Sequence, residues 1–327
     1  MKSKIRWGIV GPGKIAKEFA DDLMQVVDAE LTAVGSRNMD RAIAFANVYK
    51  TPHIFDDYDH LFACPDVDVI YIATPHTFHK DLAIRAMKAG KHVLCEKPLG
   101  INVTEVKEMI AAASENKVFL MEALWSRFNP TIQKVKGITE SGALGELRYI
   151  NADFAFYALD KPKESRLLNL DLAGGSILDI GIYPVFLSYL LLGMPKRIEA
   201  ISNFNDDGTE IQTSVIFQYE NAQAILHSSL ANESRMSAEI SGTKGSIALD
   251  PRFHETQGYH LKAANEIRHY ELPTNGKGYT YEIIEVNNCI KENKTESTLW
   301  SHKNSLELII LLDTIRQKTG VSFPFEN

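Results

Sequence analysis

Two rhythms of apolar and polar residues divide the chain. Over roughly the first 122 positions, short apolar runs alternate with stretches whose apolar residues recur at helical spacing. Runs at 5–10, 31–35, 67–73, 92–95 and 118–121 predict strands, and segments 15–24, 41–48, 80–89 and 103–115 predict helices. The run at 67–73, Val-Asp-Val-Ile-Tyr-Ile-Ala, is rich in β-branched residues, the pattern of a strand buried on both faces. Strands alternating with helices build βαβ units around a parallel sheet.

Beyond about residue 122 the pattern turns to simple alternation. Segments 147–156, 197–203, 212–219, 222–230, 236–241 and 246–249 predict strands with one polar face. Turn signals at Asp207-Gly208, Glu220-Asn221 and Thr243-Lys244-Gly245 separate several of them. Segments 177–192, 279–292 and 303–318 predict helices. The expected second domain is therefore α+β, with a large, mostly antiparallel open sheet whose second face is left for helices or another subunit. No internal repeat interrupts either half.

Composition narrows the function classes. The chain has 327 residues, enough for two cores, and its net charge of −7 argues against a general nucleic-acid binder. The three cysteines, Cys64, Cys95 and Cys289, form no CxxC spacing or disulfide framework, which predicts free thiols in a reducing cytoplasm. The short apolar stretch near the N-terminus does not read as a signal peptide. The most apolar run, 185–194, is about half of what a membrane-spanning helix needs, so no membrane partner is expected.

Between the first strand and the first helix stands Gly11-Pro12-Gly13-Lys14-Ile15-Ala16, a G-x-G-x-x-A turn. Gly11 permits the tight turn, Gly13 lets backbone approach a pyrophosphate, and Ala16 lets helix and strand pack closely. The helix N-terminus supplies N–H groups and the positive end of a dipole. In this context the turn predicts a doubly wound, Rossmann-type domain over residues 1–122, followed by the second domain at 123–327. At the end of the second strand the chain has Gly35-Ser36-Arg37-Asn38, with Arg41 a helical turn later, and no carboxylate in the position that usually meets ribose hydroxyls. A guanidinium there grips a 2′-phosphate through paired hydrogen bonds, so NADP is favoured over NAD. Arg37 and Arg41 also read as solvated residues at a helix start.

Two further motifs carry candidate chemistry. Glu96-Lys97-Pro98 follows a strand at the carboxyl edge where open α/β sheets bind ligands. Gly174-Gly175-Ser176-Ile177-Leu178-Asp179-Ile180-Gly181-Ile182-Tyr183 opens a helix, and the i, i+4 spacing places Asp179 and Tyr183 on one face. Taken singly, Lys97 also reads as a surface lysine, and Asp179 and Tyr183 as a helix-start acid and a core aromatic. Together with Ala73–His79 (ATPHTFH), Cys95–Leu99 (CEKPL), Met121–Pro130 (MEALWSRFNP) and Ser241–Ser246 (SGTKGS), these motifs resemble the Gfo/Idh/MocA oxidoreductases over nearly the whole chain. The resemblance is strongest to the branch with dihydrodiol and NADP-dependent xylose dehydrogenases. Tyr183 stands where the inositol dehydrogenase branch has a histidine.

The resemblance implies a hydride transfer between NAD(P) and a sugar, polyol or cyclic trans-diol, in a cleft between the two domains. It places Lys97 beside the nicotinamide and the reacting hydroxyl, Tyr183 as acid/base, and Asp179 orienting the substrate or the lysine. Thr74, Pro75, His76, His79 and Glu96 are expected at the cofactor, and Trp125 and Arg127 beside nicotinamide and substrate. A cis Lys97-Pro98 peptide is also implied. Tyrosine is a weak base with a reference pKa of about 10, which a neighbouring ammonium lowers; whether Lys97 or Tyr183 takes the proton stays open. Phe154, Phe156 and Tyr157 read either as substrate walls or as core. The resemblance further implies that the second domain binds substrate and mediates oligomerisation, as a homodimer or homotetramer through the C-terminal sheet.

Other signals read as structural. Asp56-Asp57-Tyr58-Asp59-His60 reads as a helix start rather than a metal cluster. His92, His227, His254, His260, His269 and His302 lack metal-site spacing, and no metal is expected. Two alternatives remain: an enzyme of this fold that keeps and recycles NAD(P), as a sugar–sugar oxidoreductase or redox-assisted glycosidase, and a non-catalytic dinucleotide-sensing regulator.

Overall fold

The computed structural model describes residues 4–264 and 266–326. The chain forms two compact units. The first runs to Phe128 and takes back Asn275–Leu306, and the second comprises Asn129–Thr274 and the residues from Glu307 onward.

The first unit alternates β1 (Ile5–Val10), α1 (Lys14–Leu23), β2 (Ala29–Gly35), α2 (Met39–Tyr49), β3 (His53–Phe55), α3 (Tyr58–Ala63), β4 (Val69–Ile72), α4 (His79–Lys88), β5 (His92–Glu96), α5 (Val103–Asn116) and β6 (Leu120–Ala123). All pairings are parallel, in the order β3-β2-β1-β4-β5-β6, the doubly wound order expected from the sequence. β4 is buried along its whole length, as its β-branched run requires. In this unit β3 is the strand the sequence pattern does not reveal, being three half-buried residues at a sheet edge. The Asp57 carboxylate caps α3 by accepting from the Asp59 and His60 amides, so the acidic run at 56–60 starts a helix.

The second unit opens with α6 (Pro130–Glu140), capped by Asn129, and continues through β7 (Leu147–Ala155), α7 (Ile182–Leu192), β8 (Arg197–Phe204), β9 (Glu210–Gln218), β10 (Gln223–Ser229), β11 (Ala238–Gly242), β12 (Gly245–Leu249), β13 (Gly258–Ala263) and β14 (Glu266–Glu271). The sheet order is β14-β13-β12-β11-β7-β10-β9-β8. Every pair is antiparallel except β7 with β10. One face is the core: Ile150, Ala152 and Phe154 of β7 and Ala224 and Leu226 of β10 are buried with α7. The other face exposes Ile201, Ile216 and Ile225. The stretch Leu170–Leu192 has the length and hydropathy of a membrane span, yet 83% of its most apolar window is buried, as befits the core helix of this unit.

The domain expectation needs correction. The first boundary falls at 128 rather than 122, and the segment after β14 returns to the first unit with α8 (Thr280–Lys291) before α9 (His302–Thr319). The reason lies in buried polar pairings. The Asp22 carboxylate of α1 accepts the amides of Lys277, Gly278 and Tyr279 at the start of α8, at 2.8–3.1 Å. The Trp7 indole donates to Asn287 at 3.1 Å. A helix N-terminus leaves its first amides without partners, and a buried carboxylate on another helix satisfies them.

Candidate active site

Parallel pairing sets the carboxyl ends of β1, β4 and β5 along one edge of the first sheet, and the motifs lie there. Gly11 turns with φ +83°, and a Cβ on it would meet Thr74 and Ala73 at 3.0–3.1 Å, so only glycine fits. Gly13 caps α1 without a side-chain hydrogen bond, and a Cβ there would have only the Gly11 carbonyl at 4.0 Å. Open space thus faces the α1 N-terminus, with Lys14 exposed, Ile15 half-buried and Ala16 buried against the sheet. These residues fit a pyrophosphate.

Next to the turn, Arg37, Tyr58, Thr74, Pro75, Phe78, Asp81, Leu82 and Arg85 line a cavity of about 260 Å³. The Arg37 guanidinium stands 5.0 Å from the Phe78 ring centroid, and Asp81 is ion-paired to Arg85 at 2.9 Å. Ser36 is buried and its hydroxyl accepts the Asn38 amide at 3.2 Å. Arg41 is exposed in the first turn of α2 and is not part of the cavity wall. Of the two arginines expected at a ribose phosphate, the structure puts Arg37 into the cavity.

The loop after β5 is held on several sides. Lys97-Pro98 is cis, as the resemblance implies. The buried Tyr71 hydroxyl donates to Glu96. His79, fully buried, has Nδ1 2.9 Å from the Pro98 carbonyl and Nε2 2.9 Å from the Thr74 carbonyl, so it ties the β4 loop to the β5 loop. Burial pushes its imidazole pKa down, against the two carbonyl partners. Expected at the cofactor, His79 has no exposed surface and acts from behind the loop; His76 is also buried. Glu122 accepts from the Leu99 amide (2.9 Å), the Trp300 indole (3.0 Å) and the Ser305 hydroxyl (2.7 Å). Burial pushes this carboxyl up, while its hydrogen bonds pull it down. Lys97 itself is half-buried. Trp125 stacks on Tyr279 at 4.6 Å and 12°. Arg127 is buried with its Nε donated to the Leu299 carbonyl at 2.9 Å, which makes it a clamp on the returning segment rather than a group presented at the surface.

In the second unit, the glycine-rich motif forms one wide π-helical turn, Ile177–Gly181, before α7. Pro184 cannot donate an amide to the preceding turn, which suits this loosened start. Glu210, buried in β9, holds the turn by accepting from Ser176 (2.6 Å), Thr213 (2.7 Å) and the Ile177 amide (2.9 Å). Asp179 is buried and receives the Arg166 guanidinium at 2.7 Å. Tyr183 packs 5.5 Å from Phe154 and 5.1 Å from His254, and His254 stacks on Phe154 at 4.2 Å and 20°. Of the three aromatics on and after β7, Phe154 is buried in this cluster, Phe156 is half-buried, and Tyr157 is 50% exposed.

Comparison with known proteins follows the same division. Residues 5–124 match the oxidoreductase family with an NAD-binding Rossmann fold, and residues 132–248 match the GFO/IDH/MocA C-terminal domain. The trans-1,2-dihydrobenzene-1,2-diol dehydrogenase of Mus musculus is 34% identical over 333 residues, 98% of each chain. The chain belongs to the GFO/IDH/MocA oxidoreductase family. A Sus scrofa enzyme of the same name is 35% identical with the same coverage. Among solved structures, a 3-ketoreductase from Actinomadura kijaniata in complex with NADP and TDP-benzene has a TM-score of 0.87 at 25% identity, covering 97% of this chain and 98% of that one. The aldose-aldose oxidoreductase from Caulobacter crescentus shares the fold, with a TM-score of 0.90 at 24% identity and the same coverage.

For this GFO/IDH/MocA oxidoreductase, the sequence pattern locates the residues that carry motifs and misses their supports. Arg166 on Asp179, His254 on Phe154 and Tyr183, Glu210 under the wide turn and Tyr279 on Trp125 carry no local signature, and Glu122 falls inside the Met121–Pro130 motif without any mark of its place under the Lys97 loop. His254, which reads as structural in the sequence, is 4% exposed and lies in the aromatic cluster. Nothing in the spacing of Arg166 or Glu210 from Asp179 marks them; the β9 register and the loop path bring them there.

Proposed function

We propose that this oxidoreductase is an NADP-preferring dehydrogenase that oxidises a secondary alcohol of a sugar, polyol or cyclic trans-diol. The observation that carries the reading is the shared edge of the first sheet: an open glycine turn at β1, an arginine-lined cavity beside β4, and Lys97 on a clamped loop at the end of β5. The full-length likeness to dihydrodiol dehydrogenases supports the diol class. The NADP in the similar 3-ketoreductase, together with Arg37 beside Phe78, supports the phosphorylated cofactor.

The Gly11–Ala16 turn would hold the pyrophosphate and Arg37 the ribose phosphate. The oxidised cofactor, when bound, would supply the acceptor for a hydride from the alcohol carbon. The hydroxyl proton must leave as that bond breaks, so a base is needed within hydrogen-bond reach of the oxygen. Lys97 and Tyr183 are the two groups assigned to that proton. Phe154 and His254 hold the Tyr183 ring, and Asp179 with Arg166 supplies polar contacts for further hydroxyls. The product is the ketone, and the proton passes to solvent.

The test is a panel of pentoses, hexoses, inositols and trans-dihydrodiols with NADP+ and NAD+, followed by nicotinamide absorbance. Turnover of at least one class with NADP+ preferred is expected. Arg37→Ala is expected to raise KM for NADP+ about tenfold, some 1.4 kcal/mol, with little change for NAD+. An equal effect on both cofactors would remove Arg37 from the phosphate site. We also propose a homodimer or homotetramer through the open sheet face, supported by the exposed Ile201, Ile216 and Ile225.

A further inference from the structure

We propose that Asp250, His260 and His269 form a binding site for a zinc-class divalent ion on the open face of the second sheet. His260 and His269 are direct cross-strand partners on β13 and β14, and their rings stack at 4.3 Å and 22°. Asp250, just past β12, reaches both: its Oδ2 lies 3.0 Å from His269 Nε2 and its Oδ1 3.6 Å from His260 Nε2. The three ligand atoms all lie within 4.8 Å of one another. Ligands held at about 2.0–2.2 Å in a tetrahedron around zinc stand roughly 3.3 Å apart, between the two measured separations. Two imidazoles and one carboxylate are the donors this ion class takes, and the fourth position is left to water. The side chains are 50%, 37% and 27% exposed for His260, His269 and Asp250, so an ion can enter from solvent.

The backbone is shaped for the cluster. Gly258 opens β13, and a Cβ there would lie 2.5 Å from Asp250 Oδ2, 2.7 Å from the Tyr270 carbonyl oxygen and 3.1 Å from His269 Nε2. Glycine here leaves room both for the paired β14 backbone and for the carboxylate and imidazole to meet. The Gly258 carbonyl also accepts the Asp250 amide at 3.1 Å, which fixes the residue after β12 against β13. The other His/Cys/Asp grouping among the described residues, His53, Cys64 and Asp66, differs in charge. There the Arg6 guanidinium is 3.2 Å from Asp66, and the Lys91 ammonium lies on the Cys64 carbonyl at 2.6 Å. Two cations beside the ligands repel a third. In the proposed site the ion links β12, β13 and β14, and so fastens β14, an edge strand paired only with β13.

The test uses the full chain, stripped with EDTA, dialysed and titrated with zinc chloride by calorimetry. One ion per chain with micromolar affinity is expected. His269→Ala and the more conservative His260→Gln should each weaken it by at least about tenfold, with folding checked by circular dichroism. Cys64→Ser should bind as the parent does. Absence of saturable binding, undiminished affinity in both histidine variants, or loss of binding in Cys64→Ser would each overturn the site.

Discussion

Lys97 owes its position to neighbours that have no part in the proton transfer proposed for it. Glu96 before it accepts from Tyr71, Pro98 after it meets His79 through its carbonyl, and Leu99 donates its amide to Glu122. The loop is therefore fixed while the ammonium remains half-buried. Replacing the lysine alone should remove chemistry and leave the loop. Lys97→Met is expected to lower kcat by about 10²–10⁴-fold, the range for a lost acid/base group. Its NADP+ affinity, read by fluorescence titration, should move little. Tyr183→Phe should behave alike, with the aromatic packing on Phe154 and His254 intact. Near-parent kcat in both variants would end the acid/base assignment.

His79 gives a prediction with a definite sign. Burial is the main cause of its lowered pKa, so the folded state prefers the neutral ring. As pH falls below about 6.5, the unfolded chain gains a proton that the folded one refuses. Its contribution is therefore complete above the unfolded pKa, and is lost as pH drops through that value toward the folded one. Denaturation midpoints measured from pH 7 to pH 5 should fall for the parent and fall less steeply for His79→Gln. Equal slopes would show that His79 does not carry this linkage.

At the scale of elements, one buried carboxylate under each motif does the positioning. Glu210 accepts three hydrogen bonds at the wide turn that sets Asp179 and Tyr183 at the head of α7. Burial raises its pKa, against the pull of those donors. In Glu210→Gln one carboxylate oxygen becomes an NH2 group, which donates and cannot accept the hydrogen bond made at that position. A buried donor then goes unpaired, at a cost of about 1–3 kcal/mol. The loss of stability should come with a drop in kcat larger than the change in KM, since the turn leads directly into the start of α7 that carries Tyr183. A stability loss with unchanged kcat would make Glu210 a fold residue only.

Elements also show what the sequence makes legible. β1, β4, α5 and α7 announce themselves because burial imposes a period on their residues: continuous for strands covered on both faces, alternating or helical elsewhere. β13 and β14 escape, because an edge strand has little to bury; β14 reads Glu-Ile-Arg-His-Tyr-Glu and is exposed throughout. The same blindness hides His260 and His269. Nine positions apart, they match no metal-binding spacing, but the hairpin register sets them opposite each other. Gly11 and Lys97 are legible because backbone conformation or motif fixes the residue locally. Glu122, Glu210 and Arg166 are not, since their partners come from distant parts of the chain.

For the whole molecule, the decisive question is what covers the open sheet face. Ile216 on β9 and Ile225 on β10 are direct cross-strand partners, 45% and 40% exposed, and Ile201 on β8 is 72% exposed. Single exposed isoleucines are ordinary on a surface, but three on neighbouring strands form one apolar patch. Their flanks are polar: Glu199 pairs with Ile216 on one side and Asn151 with Ile225 on the other. A self-complementary contact repeats each side chain on both partners, so one substitution acts twice. Ile216→Glu with Ile225→Glu places four carboxylates in a twofold contact, where burying an unpaired charge is costly. Light scattering coupled to gel filtration should show the parent as a dimer or tetramer and the double variant as a smaller species with the parent's circular dichroism. The patch lies at the β8–β10 end of the sheet and the histidine pair at the opposite end, so zinc binding per chain should be the same in both. A parent that is monomeric at every concentration tested would remove the oligomer proposal and leave the histidine site standing.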